Sequence, residues 1–161
     1  MRPSRATLLF ALSFVCFGRL CTSISCSGGQ CRSEIPPVVW MAPFLSGGGY
    51  CSEATAFVLA LANLTDVQIA QHGDAVSQSY LNGLDAGVRE ALQSLLWSRV
   101  DHREAVVVCH SEPGAWSPPM YHPGTYCPPP GSMRTVGRTM FETDRLPRGW
   151  ADRLNRMDEV W

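Results

Sequence analysis

The sequence lacks the patterns that mark several common classes of binding protein. Its 13 basic and 14 acidic side chains give a formal net charge of −1, and the basic residues are scattered along the chain. Without a basic stripe, we do not expect nucleic acid as a partner. The CxxC spacing of zinc sites is absent and the four histidines are dispersed. We therefore expect no metal site.

Two nucleotide-binding motifs and one hydrolase motif are also missing. Three glycines, 47–49, follow an apolar run, but Gly49 is followed by Tyr50 and Cys51 instead of the Lys-Ser/Thr pair of a phosphate-binding Walker loop. The dinucleotide fingerprint needs a third small residue, normally glycine, where this chain has Ser52. No GxSxG nucleophile elbow occurs, which disfavours a hydrolase of that type.

The first 25 residues have the features of a secretory leader. Basic residues precede an apolar segment over 6–17, which is short for a membrane span, and Ser23 and Ser25 are the small residues of a cleavage site. The alternative is an uncleaved signal anchor, against which Arg19 counts because it interrupts the apolar stretch. Either form directs the chain to the secretory pathway (ER or Golgi lumen, or secretion), with membrane contact only in the anchored form.

Two further features bear on entry into that pathway. Cleavage after Ser25 would leave five of the seven cysteines, an odd number, so at least one thiol is free or paired outside the chain. Cys26 and Cys31 are the easiest pair because they are close in sequence. Asn63-Leu64-Thr65 is an N-glycosylation sequon, which makes Asn63 a candidate glycan site.

Hydrophobic periodicity predicts an α/β domain over residues 38–161, after an irregular lead-in over 26–37. A buried strand over 38–42 leads through the glycines into a helix of about 51–62 with one apolar stripe. Ser52 is predicted to cap this helix, and Glu53 lies near the positive end of its dipole.

The later segments continue the alternation of strands and helices. They comprise a strand over 67–71 near an edge, a helical region over 76–97 that is broken before about 84, a strand over 106–109, a Pro- and Gly-rich loop over 113–131, a strand over 135–142, a helix from Pro147 and a strand that begins near 157. The predicted fold is a Rossmann-like open parallel sheet flanked by helices. Since the chain stops where a strand begins, we expect an incomplete fold from a truncated protein.

The C-terminal residues carry a resemblance to a known family. FETDRLPRGW at 141–150 and LNRMDEVW at 154–161 resemble a pattern in the N-terminal half of GT-B glycosyltransferases of the group 1 (family 4) type. The loop over 43–53 and the His-Ser-Glu-Pro segment over 110–113 are similar to the same family's layout. The resemblance covers residues 36–161.

The resemblance implies a two-domain enzyme of which this chain is the first half. In such enzymes two Rossmann-like domains face a cleft, the N-terminal one mostly holds the acceptor, and its first glycine loop approaches the donor phosphate. The half that binds the nucleotide sugar would be missing, so the fragment alone is expected to be inactive. No DxD motif occurs, which is consistent with transfer from a nucleotide-sugar co-substrate without metal or other cofactor.

Candidate catalytic and donor residues follow from this layout. Gly47, Gly48 and Gly49 would direct amides toward the donor's diphosphate; the alternative is a tight turn. His110 and Glu112 follow the strongest strand and are the candidate catalytic residues. Alternatively, His110 bonds to backbone and Glu112 is a solvated loop carboxylate.

Candidate acceptor residues lie at other predicted strand ends. His72 follows the second strand, and Glu142 and Asp144 follow the strand over 135–142. Asp144 is alternatively the cap of the helix that begins near Pro147. The Pro-rich loop adds three aromatic side chains that either stack on sugar faces or pack the loop down: Trp116, Tyr121 and Tyr126.

The predicted function is therefore transfer of a sugar, of the hexosyltransferase type in the full-length enzyme, from a nucleotide-sugar donor to an acceptor hydroxyl on a glycan or other molecule. A second hypothesis is a secreted, non-catalytic carbohydrate-binding or interaction domain that uses the aromatic loop. A second Rossmann-like half downstream would favour the transferase.

Overall fold

The computed structural model describes the backbone of residues 26–27 and 30–31, and residues 35–120, 125–142 and 144–161 with their side chains. Cys26–Ser27 (β1) pairs antiparallel with Gln30–Cys31 (β2), and Cys26 is the register partner of Cys31. Three of the predictions lie outside the described residues and side chains: the leader, the side-chain bond between these two cysteines, and the role of Tyr121.

The core of the fold is an open sheet of five parallel strands. They are β3 (Val38–Ala42), β4 (Val67–Gln71), β5 (Val106–His110), β6 (Arg134–Arg138) and β7 (Glu159–Val160). The strand order is β4-β3-β5-β6-β7, and every pair is parallel. The prediction of a Rossmann-like α/β fold is confirmed, and β4 lies at an edge as expected.

Helices fill the connections between the strands. They are α1 (Gly49–Leu61), α2 (Gln78–Gly83), α3 (Ala86–Trp97) and α4 (Trp150–Leu154), with a 3-10 turn at Pro113–Ala115. The predicted break before residue 84 is confirmed, because Asp85 caps α3 by accepting from the amides of Gly87 and Val88. The strand predicted over 135–142 and the helix predicted from Pro147 are both shorter than predicted, since β6 ends at Arg138 and α4 begins at Trp150.

Glycines begin two of these helices without help from a polar cap. Gly47 has φ +86°, which turns the chain so that Gly48 takes the extended N-cap position of α1 with no side-chain cap. The predicted cap by Ser52 is wrong, because this residue lies within the helix. The alternative in which Asp144 caps the last helix is also wrong, since that N-cap is Gly149 in the left-handed conformation.

Both faces of the sheet are covered by apolar side chains. On one face α1 and α3 pack over a cluster built on Val38, Trp40, Ile69, Val108 and Val136. On the other face the alternate residues Val39, Met41, Val107 and Cys109 meet the Pro-rich loop and α4. Side chains alternate across a strand, so each apolar strand serves both clusters.

The Pro-rich loop is fastened to the second face. Trp116 is 0% exposed, and a disulfide joins Cys109 of β5 to Cys127. The Trp116 indole lies directly over Gly137 of β6, where an added Cβ would stand 2.7 Å from two ring atoms. For Trp116 the packing alternative is therefore confirmed, whereas Tyr126 is 62% exposed.

Candidate functional site at the carboxyl edge of the sheet

The strand order places a topological switch point between β3 and β5. The chain leaves β3 toward β4 on one side, and β5 lies on the other side of β3. Ligands of open α/β sheets bind outside the carboxyl ends of the strands at such a point. Here the glycine loop leaves β3, and α1 begins directly after it.

A polar cluster, formed by Glu53, His110 and Arg138, lies at this edge. His110 ends β5, Arg138 ends β6, and the two are register partners in adjacent strands. Glu53 reaches both from α1: its Oε2 lies 2.9 Å from His110 Nε2, and its Oε1 accepts from Arg138 Nη2 at 2.5 Å. One carboxylate therefore joins three elements that are distant in sequence.

The tautomer of His110 follows from its second contact. Trp40 donates its indole N–H to Nδ1 of His110 at 3.2 Å. An indole nitrogen is a donor only, so Nδ1 carries no proton and Nε2–H donates to Glu53. Both ring nitrogens are thus occupied within the protein, and the imidazole fixes the orientation of the carboxylate.

Burial keeps this histidine neutral. The His110 side chain is 0% exposed, and burial lowers its pKa to about 4, with Arg138 acting in the same direction and Glu53 opposing both. The other members reach solvent, since the side chains of Glu53 and Arg138 are 27% and 19% exposed. The side chains of the cluster that reach solvent are therefore those of Glu53 and Arg138, while neutral His110 is buried beneath them.

Tyr50 closes one side of the cluster. Its ring meets His110 edge-on, with centroids 5.6 Å apart. Its hydroxyl donates to the Met140 carbonyl at 2.9 Å and accepts from the Met140 amide at 3.2 Å. Tyr50 and Glu53 are three residues apart on one face of α1, so the first turns of this helix are tied to β5 and to the chain after β6.

The glycine loop lies on the same edge and is open to solvent. Gly47, Gly48 and Gly49 are all exposed, and a Cβ on Gly48 or Gly49 would meet nothing within 4 Å. Gly47 is different, because a Cβ there would stand 2.8 Å from the Tyr80 ring. The loop thus combines one conformationally required glycine with two that leave the start of α1 uncovered.

Of the predicted site residues, the structure brings together the glycine loop and His110. His72 lies elsewhere, on the face covered by the Pro-rich loop, and is 4% exposed. Its Nδ1 lies 3.5 Å from Ser111 Oγ, which accepts the indole N–H of Trp116 at 3.1 Å. Burial lowers the pKa of His72, so this histidine is also held neutral.

The three predicted carboxylates stand on loops beyond the strands. Glu112 is exposed directly after β5 and precedes the 3-10 turn, and Glu142 and Asp144 are exposed after β6. Their roles in acceptor binding and catalysis stay predictions. His102 precedes β5 at the amino end of the sheet, where its Nε2 lies 3.2 Å from the Pro130 carbonyl.

Sequence patterns missed the group at the centre of this site. In the sequence, Glu53 stands out only for its position near the helix dipole, and no motif marks Arg138 or Tyr50. The available signal was the spacing of Tyr50 and Glu53 on one helical face. The contact with Arg138 depends on strand register, which no local pattern reveals.

Among the described residues there is no group of three His, Cys, Asp or Glu side chains able to hold a metal ion. No helix within this part of the chain has the length and apolar character needed to cross a membrane. Comparisons of the chain with protein-family models, curated proteins and solved structures reveal no match.

Proposed function

We propose that this chain is the acceptor-side half of a GT-B-type glycosyltransferase that transfers a sugar from a nucleotide donor to an acceptor hydroxyl. The observation that carries the proposal is the Glu53 carboxylate at the switch point, held by His110 and Arg138, partly exposed and close to an open glycine loop. The all-parallel sheet supports the same proposal, as does the resemblance over residues 36–161.

The cluster has the chemistry needed to bind an acceptor sugar. An ionised carboxylate is an acceptor only, with about four lone-pair sites on its two oxygens. His110 and Arg138 each occupy one site, which leaves the exposed side of Glu53 for sugar hydroxyls. Because neutral His110 and the buried Trp40 fix the carboxylate, an acceptor hydroxyl would be oriented before it attacks the donor's anomeric carbon. In this proposal, Glu53 is the primary acceptor-binding residue and His110 positions it.

The glycine loop would approach the donor's diphosphate. The first amides of an α-helix have no partner within the helix and favour anions, and Gly48 and Gly49 cover them with no side chain. This loop and Glu53 belong to the same end of α1, so donor and acceptor would meet there. Glu112, Glu142 and Asp144 are proposed to contact the acceptor from the surrounding loops.

The proposed setting is the secretory pathway. The Cys109–Cys127 disulfide supports it, because structural disulfides form in oxidising compartments and are rare in the cytosol. The buried thiol of Cys51 is consistent with one cysteine left without a partner. The proposed small-molecule partner is a nucleotide sugar used without a metal cofactor, and the proposed macromolecular or glycan partner is the acceptor.

Transfer activity of the full-length gene product tests the proposal. We expect transfer from one member of a panel of nucleotide sugars, and we expect Glu53→Gln to reduce kcat/KM at least tenfold by weakening the fixed contact to the acceptor. Glu104→Gln is the matched control, since Glu104 is an exposed glutamate at the opposite end of the sheet. His110→Ala should likewise lower activity more than His102→Ala.

Binding by the 161-residue chain separates this proposal from its rival. If the chain binds oligosaccharides but the full-length product transfers no sugar from any donor, the protein is a carbohydrate-binding domain. Equal activity of the Glu53→Gln and Glu104→Gln enzymes would remove Glu53 from the site. Absence of both binding and transfer would overturn both functions.

A further inference from the structure

The turn between α1 and β4 carries a polar sequence that the proposed function does not use. Asn63-Leu64-Thr65 follows the helix directly, and both Asn63 and Leu64 are exposed. We infer that Asn63 carries an N-linked glycan, and that this glycan stands at the amino end of the sheet, away from the carboxyl edge that holds Glu53.

The position of Asn63 follows from the path of α1. The helix begins at the carboxyl edge and has 13 residues, a length of about 20 Å at 1.5 Å per residue. At its far end, Thr65 donates to the carbonyl of Ile35 or Pro36, and the Val38 amide donates to the Asp66 carbonyl at 2.9 Å. The sequon is therefore anchored where β3 and β4 begin, at the end of the sheet opposite the polar cluster.

The local contacts of Asn63 are compatible with the modification. Its Nδ2 donates to the Leu59 carbonyl at 2.8 Å and lies 3.4 Å from the Ala60 carbonyl. A glycosylated amide nitrogen keeps one N–H, so the shorter of these bonds can persist. Asn63 is exposed at the helix end, so a sugar can replace the second hydrogen with the loss of only the longer contact, to the Ala60 carbonyl.

The transfer step balances with a lipid-linked oligosaccharide diphosphate as the co-reactant, supplied by the host cell in the secretory pathway. The bond between the sugar's anomeric carbon and the phosphate oxygen breaks, and a bond from that carbon to Asn63 Nδ2 forms. Nδ2 gives up one proton to solvent, and the lipid diphosphate leaves with the electron pair of the broken bond. No oxidant or reductant is needed.

A glycan at this position has two structural consequences. It leaves the glycine loop and Glu53 accessible, because it projects from the opposite end of α1. It also lies beside Leu64, which is 36% exposed, and would shield that apolar side chain from other molecules. The inference rests on the proposed secretory setting but not on the proposed transfer activity, since it requires only an exposed sequon and entry into the secretory pathway.

The test is expression of the full chain in a eukaryotic secretory cell line, followed by peptide mass spectrometry. We expect an amidase that removes N-linked glycans to lower the protein's mass by one glycan and to convert Asn63 to Asp. Asn63→Gln should abolish the shift. Thr65→Ser is the matched control, because it keeps the sequon and a hydroxyl at that position and should retain the glycan.

The Cys109–Cys127 disulfide reports whether the protein reached the oxidising lumen. An unmodified Asn63 in protein that contains this disulfide would overturn the inference, since the sequon then reached the compartment that glycosylates and received no glycan. An unmodified Asn63 in protein whose cysteines are all reduced would also overturn it, because the chain then does not enter the compartment that glycosylates.

Discussion

His110 donates its Nε2–H to the Glu53 carboxylate at 2.9 Å, although the two residues lie 57 positions apart in sequence. The bond joins the first half of α1 to the end of β5, and Arg138 extends it to β6. A fully buried imidazole thereby controls where a partly exposed carboxylate points. Removal of the imidazole should release Glu53 without changing the charge at the surface.

The glycine loop offers a pair of substitutions that separates function from folding. Gly48 has φ −84° and ψ −177°, a conformation that valine favours, and a Cβ there meets nothing within 4 Å. Gly48→Val should keep the fold, with a loss of about 1 kcal/mol or less from the altered N-cap, and should strongly reduce transfer by the full-length enzyme. Its branched side chain would block the amides at the start of α1.

Gly47→Val is the matched control for folding. Gly47 has φ +86°, and a Cβ would stand 2.8 Å from the Tyr80 ring, so this change should cost about 1–3 kcal/mol in the free energy of unfolding. Urea unfolding and the transfer rate distinguish the two variants. Unchanged transfer by Gly48→Val would show that the loop is only a turn.

Acidification should destabilise the protein. Burial lowers the pKa of His110 from 6.5 to about 4, and the pKa of His72 is lowered in the same direction. Between these values the unfolded chain binds a proton that the folded chain does not. The contribution of these histidines to the free energy of unfolding is therefore fully present above about pH 6.5 and is lost as the pH falls toward 4.

Urea unfolding at about pH 7.5 and about pH 5 measures this loss of stability. His110→Gln, which keeps a polar side chain but cannot titrate, should show a smaller difference between the two pH values. A difference equal to that of the wild type would mean that His110 does not contribute.

The close packing of Trp116 on Gly137 predicts a sensitive position within β6. Gly137→Ala places a methyl group 2.7 Å from the indole and should cost about 1–3 kcal/mol in the free energy of unfolding. Gly83→Ala is the control, because no atom lies within 4 Å of its added Cβ and φ is not positive. Thermal and urea unfolding should show loss of stability only for Gly137→Ala.

The disulfide should stabilise the fold by restricting the unfolded chain. For a sequence separation of 18 residues, replacement of Cys109 and Cys127 by serine should cost about 3 kcal/mol. Cys51→Ser tests the free thiol found among the described side chains, whose buried Sγ contacts the Phe44 carbonyl and the Tyr80 hydroxyl at 3.1 Å. Alkylation before reduction should label Cys51 only after unfolding and should never label Cys109 or Cys127.

Local sequence patterns predicted the bounds of the buried strands. They did not predict where a strand ends when side chains, and not a neighbouring strand, bond the backbone. β3, β4 and β5 are short apolar runs, and their predicted bounds are within one residue of those observed. The strand predicted over 135–142 ends at Arg138, which pairs with His110 at the end of β5, and farther on the Tyr50 hydroxyl bonds the amide and the carbonyl of Met140. That contact spans 90 residues, so no window of sequence contains it.

The edge of the sheet was predictable, but the face on which each side chain lies was not. Trp40 is the register partner of both Ile69 and Val108, so His110 falls on the face of Trp40 whereas His72 falls on the other. A shift of one residue in β4 would have placed His72 on the face of Trp40 as well. The register, set by tertiary pairing, therefore decided which histidine joined Glu53.

Because the Met140 amide donates to the Tyr50 hydroxyl, hydrogen exchange at this amide reports motion between α1 and the chain after β6. While the hydroxyl accepts from this amide, exchange of its hydrogen with deuterated solvent requires the two segments to separate. A molecule that bridges Glu53 and Arg138 would hold them together and slow that exchange. Occupancy of the carboxyl edge would thus be recorded at a site that the bound molecule need never touch.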